Sequence, residues 1–350
     1  MEKTEFLGFV GTYTKVKSEG IYSFILDTVE EKIKDIRLAA KEGNPTYVAI
    51  SADKNYLYSV AAGDGEGGIS AYRIDKDTGS LERMNQALTE GTSPCYVEAN
   101  KAGDLVVASY YHRGTVEAHL VNEDGSLQPR SSFIQHEGSG PNKERQEKPH
   151  VHFSGFTPDG KYVIVVDLGT DQIVTYSSRN GELQKVASLS VQPGSGPRHI
   201  AFHPNGRFAY VMTELSNEMI VLAYDEETGR FTELQYISTI PAEFTENSQG
   251  AAIHVTKDGR FVYVSNRGHN SIAAFRIDES SGKVELVDYF STEGNWPRDF
   301  VLDPTEQYVI CANERSHNLV LYKRDQETGR LTVLQSDIEV PEPVCVKFLD

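Results

Sequence analysis

The sequence predicts an all-β fold, a seven-bladed β-propeller with four antiparallel strands per blade. Three observations predict it: a motif that recurs about every fifty residues, four strand-like runs within each recurrence, and chain ends that supply complementary parts of one further unit. The motif is clearest at residues 197–214, PRHIAFHPNGRFAYVMTE. Its counterparts are PTYVAISADKNYLYSVAA at 45–62, PCYVEANKAGDLVVASYY at 94–111, VHFSGFTPDGKYVIVVDL at 151–168, GAAIHVTKDGRFVYVSNR at 250–267 and PRDFVLDPTEQYVICANE at 297–314.

Each copy holds two short apolar runs separated by a D-G or N-G type turn, which is the signature of a hairpin. A third run with its own turn follows, as in AYRIDKDTGSL at 71–81, VLAYDEETGRF at 221–231, AAFRIDESSGKV at 273–284 and LVLYKRDQETGRL at 319–331. A poorer fourth run, such as ELQYISTI at 233–240, completes the unit. At the amino end, residues 6–14, 20–27 and 32–40 match the second, third and fourth strands, whereas residues 343–350 match only the first. The seventh blade is therefore expected to join both termini, so that ring closure hides edges open to aggregation. One propeller domain over residues 1–350 accounts for the whole chain.

Composition limits what such a ring can do. With 34 Lys+Arg against 51 Asp+Glu the formal net charge is −17, so neither nucleic acid nor an anionic membrane is expected as a partner. No apolar run approaches the ~18 residues that a membrane helix needs, and Met1 to Glu5 are charged rather than apolar. A cytoplasmic location follows as the expectation. Cys95, Cys311 and Cys345 are odd in number, far apart and without C-x-x-C spacing. Buried free thiols are expected, with no disulfide framework and no zinc cluster.

Two stretches break the repeat: the polar insertion 135–151 and a shorter one at 241–250. Both precede a first strand, so both should lie on one face, and the longer should be mobile or poorly packed. In a propeller the first strands line the central channel, and antiparallel connection puts their starts beside the ends of the second strands. Two columns of residues should then ring one mouth. The first contains Thr46, Cys95, His152, Arg198, Ala251, Arg298 and Val344. The second contains Tyr110 and Tyr111, Asp167, Thr213 and Glu214, Asn266 and Arg267, Asn313 and Glu314.

Repetition alone would favour small or apolar residues there. His152, Arg198, Glu214, Arg267 and Arg298 around one opening instead indicate an anion pocket with an acid–base pair. His150 and His199, beside this column, together with Asn266, Asn313 and Tyr110, are expected to contact the ligand. His150-x-His152 has no third ligand at metal spacing, so no metal or other cofactor is expected. His112, His136, His269 and His317 stand in turn-like polar contexts and are expected at the solvated surface. The glycine-rich stretch 63–68 opens no helix and lacks a Walker lysine, and G-x-S-x-G is absent.

Four stretches carry a resemblance: GSGPRHIAFHPNG at 194–206, TELSN at 213–217, PHVH at 149–152 and DGRFVYVSNR at 258–267. With these the chain resembles the lactonase family of seven-bladed propellers, which includes bacterial 6-phosphogluconolactonases of the propeller type and fungal carboxy-muconate lactonizing enzymes. The resemblance covers the whole chain and implies catalytic roles for His152, Arg198, Glu214 and Arg267. It implies a small-molecule sugar-phosphate lactone, 6-phosphogluconolactone, as substrate. In such a reaction His152 or Glu214 would activate water, Arg198 and Arg267 would hold the oxyanion, and Arg298 would hold a phosphate or carboxylate. Other readings are a different lactone, a muconate-type cycloisomerase that consumes no water, and a non-catalytic interaction scaffold. The scaffold would need apolar hot spots where this mouth is ionic.

Overall fold

The computed structural model describes residues 3–349; Met1, Glu2 and Asp350, which the reading of the chain ends included, lie outside them. Seven four-stranded antiparallel sheets form a ring. The inner strands touch one another in succession, and Pro343–Phe348 meets Val48–Ile50 to complete the circle. Second strands such as Leu105–Tyr110, Phe208–Thr213 and Tyr308–Asn313 are buried at every residue. They are packed on both faces by neighbouring blades, which is why they read as continuous apolar runs rather than alternating ones. Fourth strands such as Lys32–Lys41 form the exposed rim.

The closing blade is ordered Pro343–Phe348, Glu5–Thr12, Gly20–Asp27, Lys32–Lys41 from the channel outward. Its register pairs Gly8 with Phe348 and Val10 with Val346. Phe6, Val10 and Phe24 of this blade pack against Tyr308, Ile310, Leu319 and Leu321 of the preceding one.

Two local devices recur. In the turn between first and second strands, a Ser, Thr or Asp side chain accepts the amide of the residue that opens the second strand: Ser51 from Tyr56, Thr157 from Tyr162, Thr256 from Phe261 and Asp303 from Tyr308. Between blades, a buried tyrosine hydroxyl donates to a turn carbonyl of the next blade. Tyr58 reaches Gly125, Tyr210 reaches Gly282 and Tyr263 reaches Gly329, at 2.8–3.0 Å.

The feature that matters most for the site is a bulge near the start of the inner strands. Val151 pairs with Asp167, but Phe153 pairs with Val166, which leaves His152 as an extra residue. The same skip sets Arg198 apart between Pro197 and His199, and Arg298 between Pro297 and Asp299. A bulge re-aims a side chain without breaking the strand, so this column turns toward the mouth while the rest of each strand keeps its pleat.

The insertion before Val151 differs from expectation in being anchored at several buried side chains, although much of it is exposed. Gln146 is fully buried and donates to Leu168 O and Asp171 Oδ1, both at 2.8 Å. His136, expected at the solvated surface, is buried instead because both ring nitrogens find partners inside the fold, with Nδ1 2.8 Å from Asp167 Oδ2 and Nε2 2.9 Å from the Tyr176 hydroxyl. A polar segment can be well ordered when its hydrogen bonds are met internally, and composition alone does not reveal that. Among the described residues no helix is long and apolar enough to cross a membrane.

Candidate active site

At one mouth of the channel lies a cavity of about 520 Å³. The column at the start of the inner strands contributes Thr46, Cys95, His152 and Arg298 to its wall. The residues just beyond the second strands contribute Tyr13, Tyr111, Glu214, Arg267 and Glu314. Both insertions reach it, through Arg145 and Gln249.

Glu214 is the hub. Its backbone amide donates to Gly196 O at 2.7 Å. Gly196 has a φ of +60°, and a Cβ there would meet the Leu215 side chain at 2.5 Å, so any larger residue in the G-S-G turn would be strained and crowded at this point. Asp171 accepts the Gly194 and Gly196 amides as well as the Gln146 side chain, which ties this turn to the insertion that carries Arg145. Arg267 Nη2 donates to Glu214 Oε2 at 2.7 Å, Arg198 Nε lies 3.2 Å from the same oxygen, and Arg145 Nη2 donates to Oε1. Burial alone would raise the Glu214 carboxyl, but Arg267 and then Arg198 outweigh it and hold the group well below the usual carboxylate range. Glu214 is therefore a fixed anion that organises guanidinium groups, and a poor proton acceptor.

His152 is the opposite case. It is 4% exposed, its Nδ1 has no hydrogen-bond partner, and the Tyr111 and His199 rings meet it edge-on at 5.7 and 5.2 Å. Burial, followed by the positive charge of Arg198, pushes its pKa well below the ordinary 6.5. This shift favours the neutral imidazole at neutral pH. Arg267 commits Nη2 to Glu214 and Gly250 O, and Nε to Gln249 O, which leaves Nη1 for a ligand. Cys95 is no nucleophile, because burial pushes its thiol up to about 11.

The sequence matches the family described as lactonase, 7-bladed beta-propeller, over residues 8–348. The chain belongs to that family. It is 56% identical to a protein named 6-phosphogluconolactonase from Bacillus subtilis (strain 168), over 99% of both chains. Among solved structures it is similar to a protein from Lactobacillus plantarum, with 42% identity, a TM-score of 0.95 and coverage of 99% and 100%. A Pseudomonas aeruginosa periplasmic gluconolactonase is similar at 33% identity, with a TM-score of 0.93 and coverage of 98% and 99%.

In this lactonase-family chain the residues singled out from sequence separate into layers. His152, Glu214, Arg267 and Arg298 face the cavity. Arg198 lies behind Glu214, where Nη1 donates to Ala251 O at 2.7 Å and burial followed by repulsion from Arg267 and Arg298 lowers its pKa to about 9. His199 sits deeper in the channel against Tyr47, Tyr96 and Phe153. His150 stacks on Tyr111 at 4.3 Å and points its Nε2 at Glu147, so it supports the wall from behind.

Tyr110, Asn266 and Asn313 do not reach the cavity. Strand alternation turns each of them away from the residue that follows it. Asn266 is bonded to Thr239 and Asn313 to Thr292, which fastens adjacent blades, and Tyr110 is buried beneath Arg113. His112, in contrast, is exposed on the cavity rim as expected of a surface histidine.

Sequence reasoning missed Arg145, Tyr13, Lys15, Trp296 and Arg315, all of which line the cavity. Tyr13 had a signal. It follows Thr12, which pairs with Pro343 as Thr213 pairs with Pro197, so it is the closing blade's member of the Glu214 column. Among the described residues no group of three or more His, Cys, Asp or Glu is placed to hold a metal ion.

Proposed function

We propose that this chain is a lactonase that hydrolyses 6-phosphogluconolactone to 6-phosphogluconate. The observation that carries the reading is a neutral His152 on the wall of the same cavity as guanidinium groups fixed on Glu214. The 56% identity to a protein of that name supports the choice of substrate. Water attacks the lactone carbonyl carbon and gives its proton to His152. The new oxyanion is met by Arg267 Nη1 and by Arg145, both already oriented by Glu214, whose single negative charge leaves the cluster net cationic, so little reorganisation accompanies charge development. As the tetrahedral species collapses the acyl–ring-oxygen bond breaks, and His152 returns the proton to the departing alkoxide. Arg198 acts as a positioning residue behind Glu214, and Arg298 holds a substrate anion.

A cytoplasmic setting suits the three free cysteines, two of them buried, because free thiols persist in reducing compartments. The direct test is acid release from freshly generated 6-phosphogluconolactone, followed in a pH-stat above the spontaneous rate. No increase over the spontaneous rate would dismiss the assignment.

The pH profile follows from the His152 shift. The working form is the neutral imidazole and its pKa is depressed, so kcat/KM should hold as pH falls through 6.5 and decline only at more acid values. An acid limb centred at or above 6.5, measured between pH 4 and 8 with the spontaneous rate subtracted, would contradict the depressed His152 pKa, and a limb that persists in His152→Asn would exclude His152 as the base.

A further inference from the structure

The cations of the cavity fall into two sets. Arg145, Arg198 and Arg267 converge on Glu214. Lys15, Arg298 and Arg315 do not. The carboxylate beside Arg298 is Glu314, 3.6 Å away, and its Oε2 accepts no hydrogen bond. What these three cations face is aromatic. Lys15 Nζ lies 3.5 Å from the centre of the Tyr13 ring, and the Arg298 guanidinium lies 5.4 Å from the same ring. The Arg315 guanidinium lies 3.5 Å over Trp296, whose ring Arg267 also approaches at 5.6 Å. A ring face holds a cation without cancelling its charge. In a chain with 51 carboxylates to 34 basic residues, Lys15 and Arg315 kept on rings, with Arg298 met by one carboxylate at 3.6 Å, leave the three groups net cationic and ready to seat an anion.

The backbone points the same way. Trp296 has a φ of +69°, in the left-handed region where a bulky side chain is an outlier. It is held there by its amide bond to Asn270 Oδ1 at 2.9 Å. Strain of this kind persists where the surroundings over-determine it, and it clusters at ligand clamps. Here it delivers the indole to the cavity wall between the two sets of cations.

We propose that Arg298, Arg315 and Lys15, seated on Tyr13 and Trp296, form the subsite for the phosphate monoester of the substrate and give the site its preference for phosphorylated over unphosphorylated lactones. Arginine forks match phosphate oxygens two at a time, and the lysine adds a point charge at the rim. The inference rests on the lactonase reading, and the experiment separates the two.

Calorimetric titration with 6-phosphogluconate and with gluconate should show the wild-type protein preferring the former by at least about tenfold, the effect of one good charged contact. In Arg298→Ala, and in a Lys15→Ala/Arg315→Ala double variant, that ratio should fall by about tenfold, with Arg298→Lys intermediate. Lys15 and Arg315 are exposed, so the double variant tests the subsite without a folding cost. Equal wild-type affinity for the two ligands, or a loss in the variants that is the same for both, overturns the proposal. A preserved phosphate preference without hydrolysis would sink the lactonase reading and leave the subsite standing. Hydrolysis without any phosphate preference would do the reverse.

Discussion

Replacing His152 by asparagine will lower turnover by about 10²- to 10⁴-fold on any lactone the protein hydrolyses, the range that a positioned general base contributes. Stability should hardly change, because the buried Nδ1 has no partner to lose. Glu214→Gln supplies the contrast. Removing the shared carboxylate leaves Arg145, Arg198 and Arg267 facing one another, and breaking a buried ion pair in this way typically costs about 3–5 kcal/mol. The melting temperature should therefore fall in that variant alone. The pH profiles separate the roles further. Glu214 is among the groups that raise the His152 pKa, so its neutralisation should move the acid limb to still lower pH. A limb that vanishes in Glu214→Gln, or a His152→Asn protein that keeps more than a tenth of its turnover, would make Glu214 the base.

The blades were legible because turn chemistry and apolar runs repeat with the period of the fold. The mouth was legible for a narrower reason: gapless alignment across the turn fixes which residues share a height in the channel. Alignment does not fix which way a side chain faces. Tyr110, Asn266 and Asn313 share the height of the mouth but precede the facing residue by one, and a single step along a strand reverses the side chain. The bulge that lets His152, Arg198 and Arg298 depart from the strand pleat has no residue signature in the repeat.

Arg145 was illegible for a different reason. It comes from the insertion, which obeys no period, and its position depends on the Gln146–Asp171–Gly196 network rather than on a strand. Trp296 reaches the cavity through a left-handed backbone, which no propensity for tryptophan would suggest. The electrostatic division of labour was hidden as well. Glu214 and His152 looked interchangeable as bases until three guanidinium groups were found on the carboxylate and none of the described partners on the imidazole Nδ1.

Deleting residues 343–350 will abolish the folded state, read as loss of soluble protein and of the cooperative thermal transition. The segment supplies the innermost strand of the closing blade, and Val344, Cys345 and Val346 are at most 2% exposed. Side chains of this size contribute about 1.5–3 kcal/mol each on burial, so their loss alone approaches the whole ~5–15 kcal/mol by which a domain is stable. The deletion also removes the amide that Asp299 Oδ2 accepts from Val346 and the Lys347 ammonium that donates to Tyr47. It exposes one edge of Glu5–Thr12, which invites pairing between chains. A truncated protein that melts within about 5 °C of the full chain would mean that the ring does not depend on its joined blade. The same strand sets the height of Glu5–Thr12, and therefore of Tyr13 and Lys15 beyond it. Weaker lesions there, such as Val346→Ala, should reduce phosphate preference before they reduce turnover, because the closing blade carries Tyr13 and Lys15 while His152 and Glu214 stand on other blades.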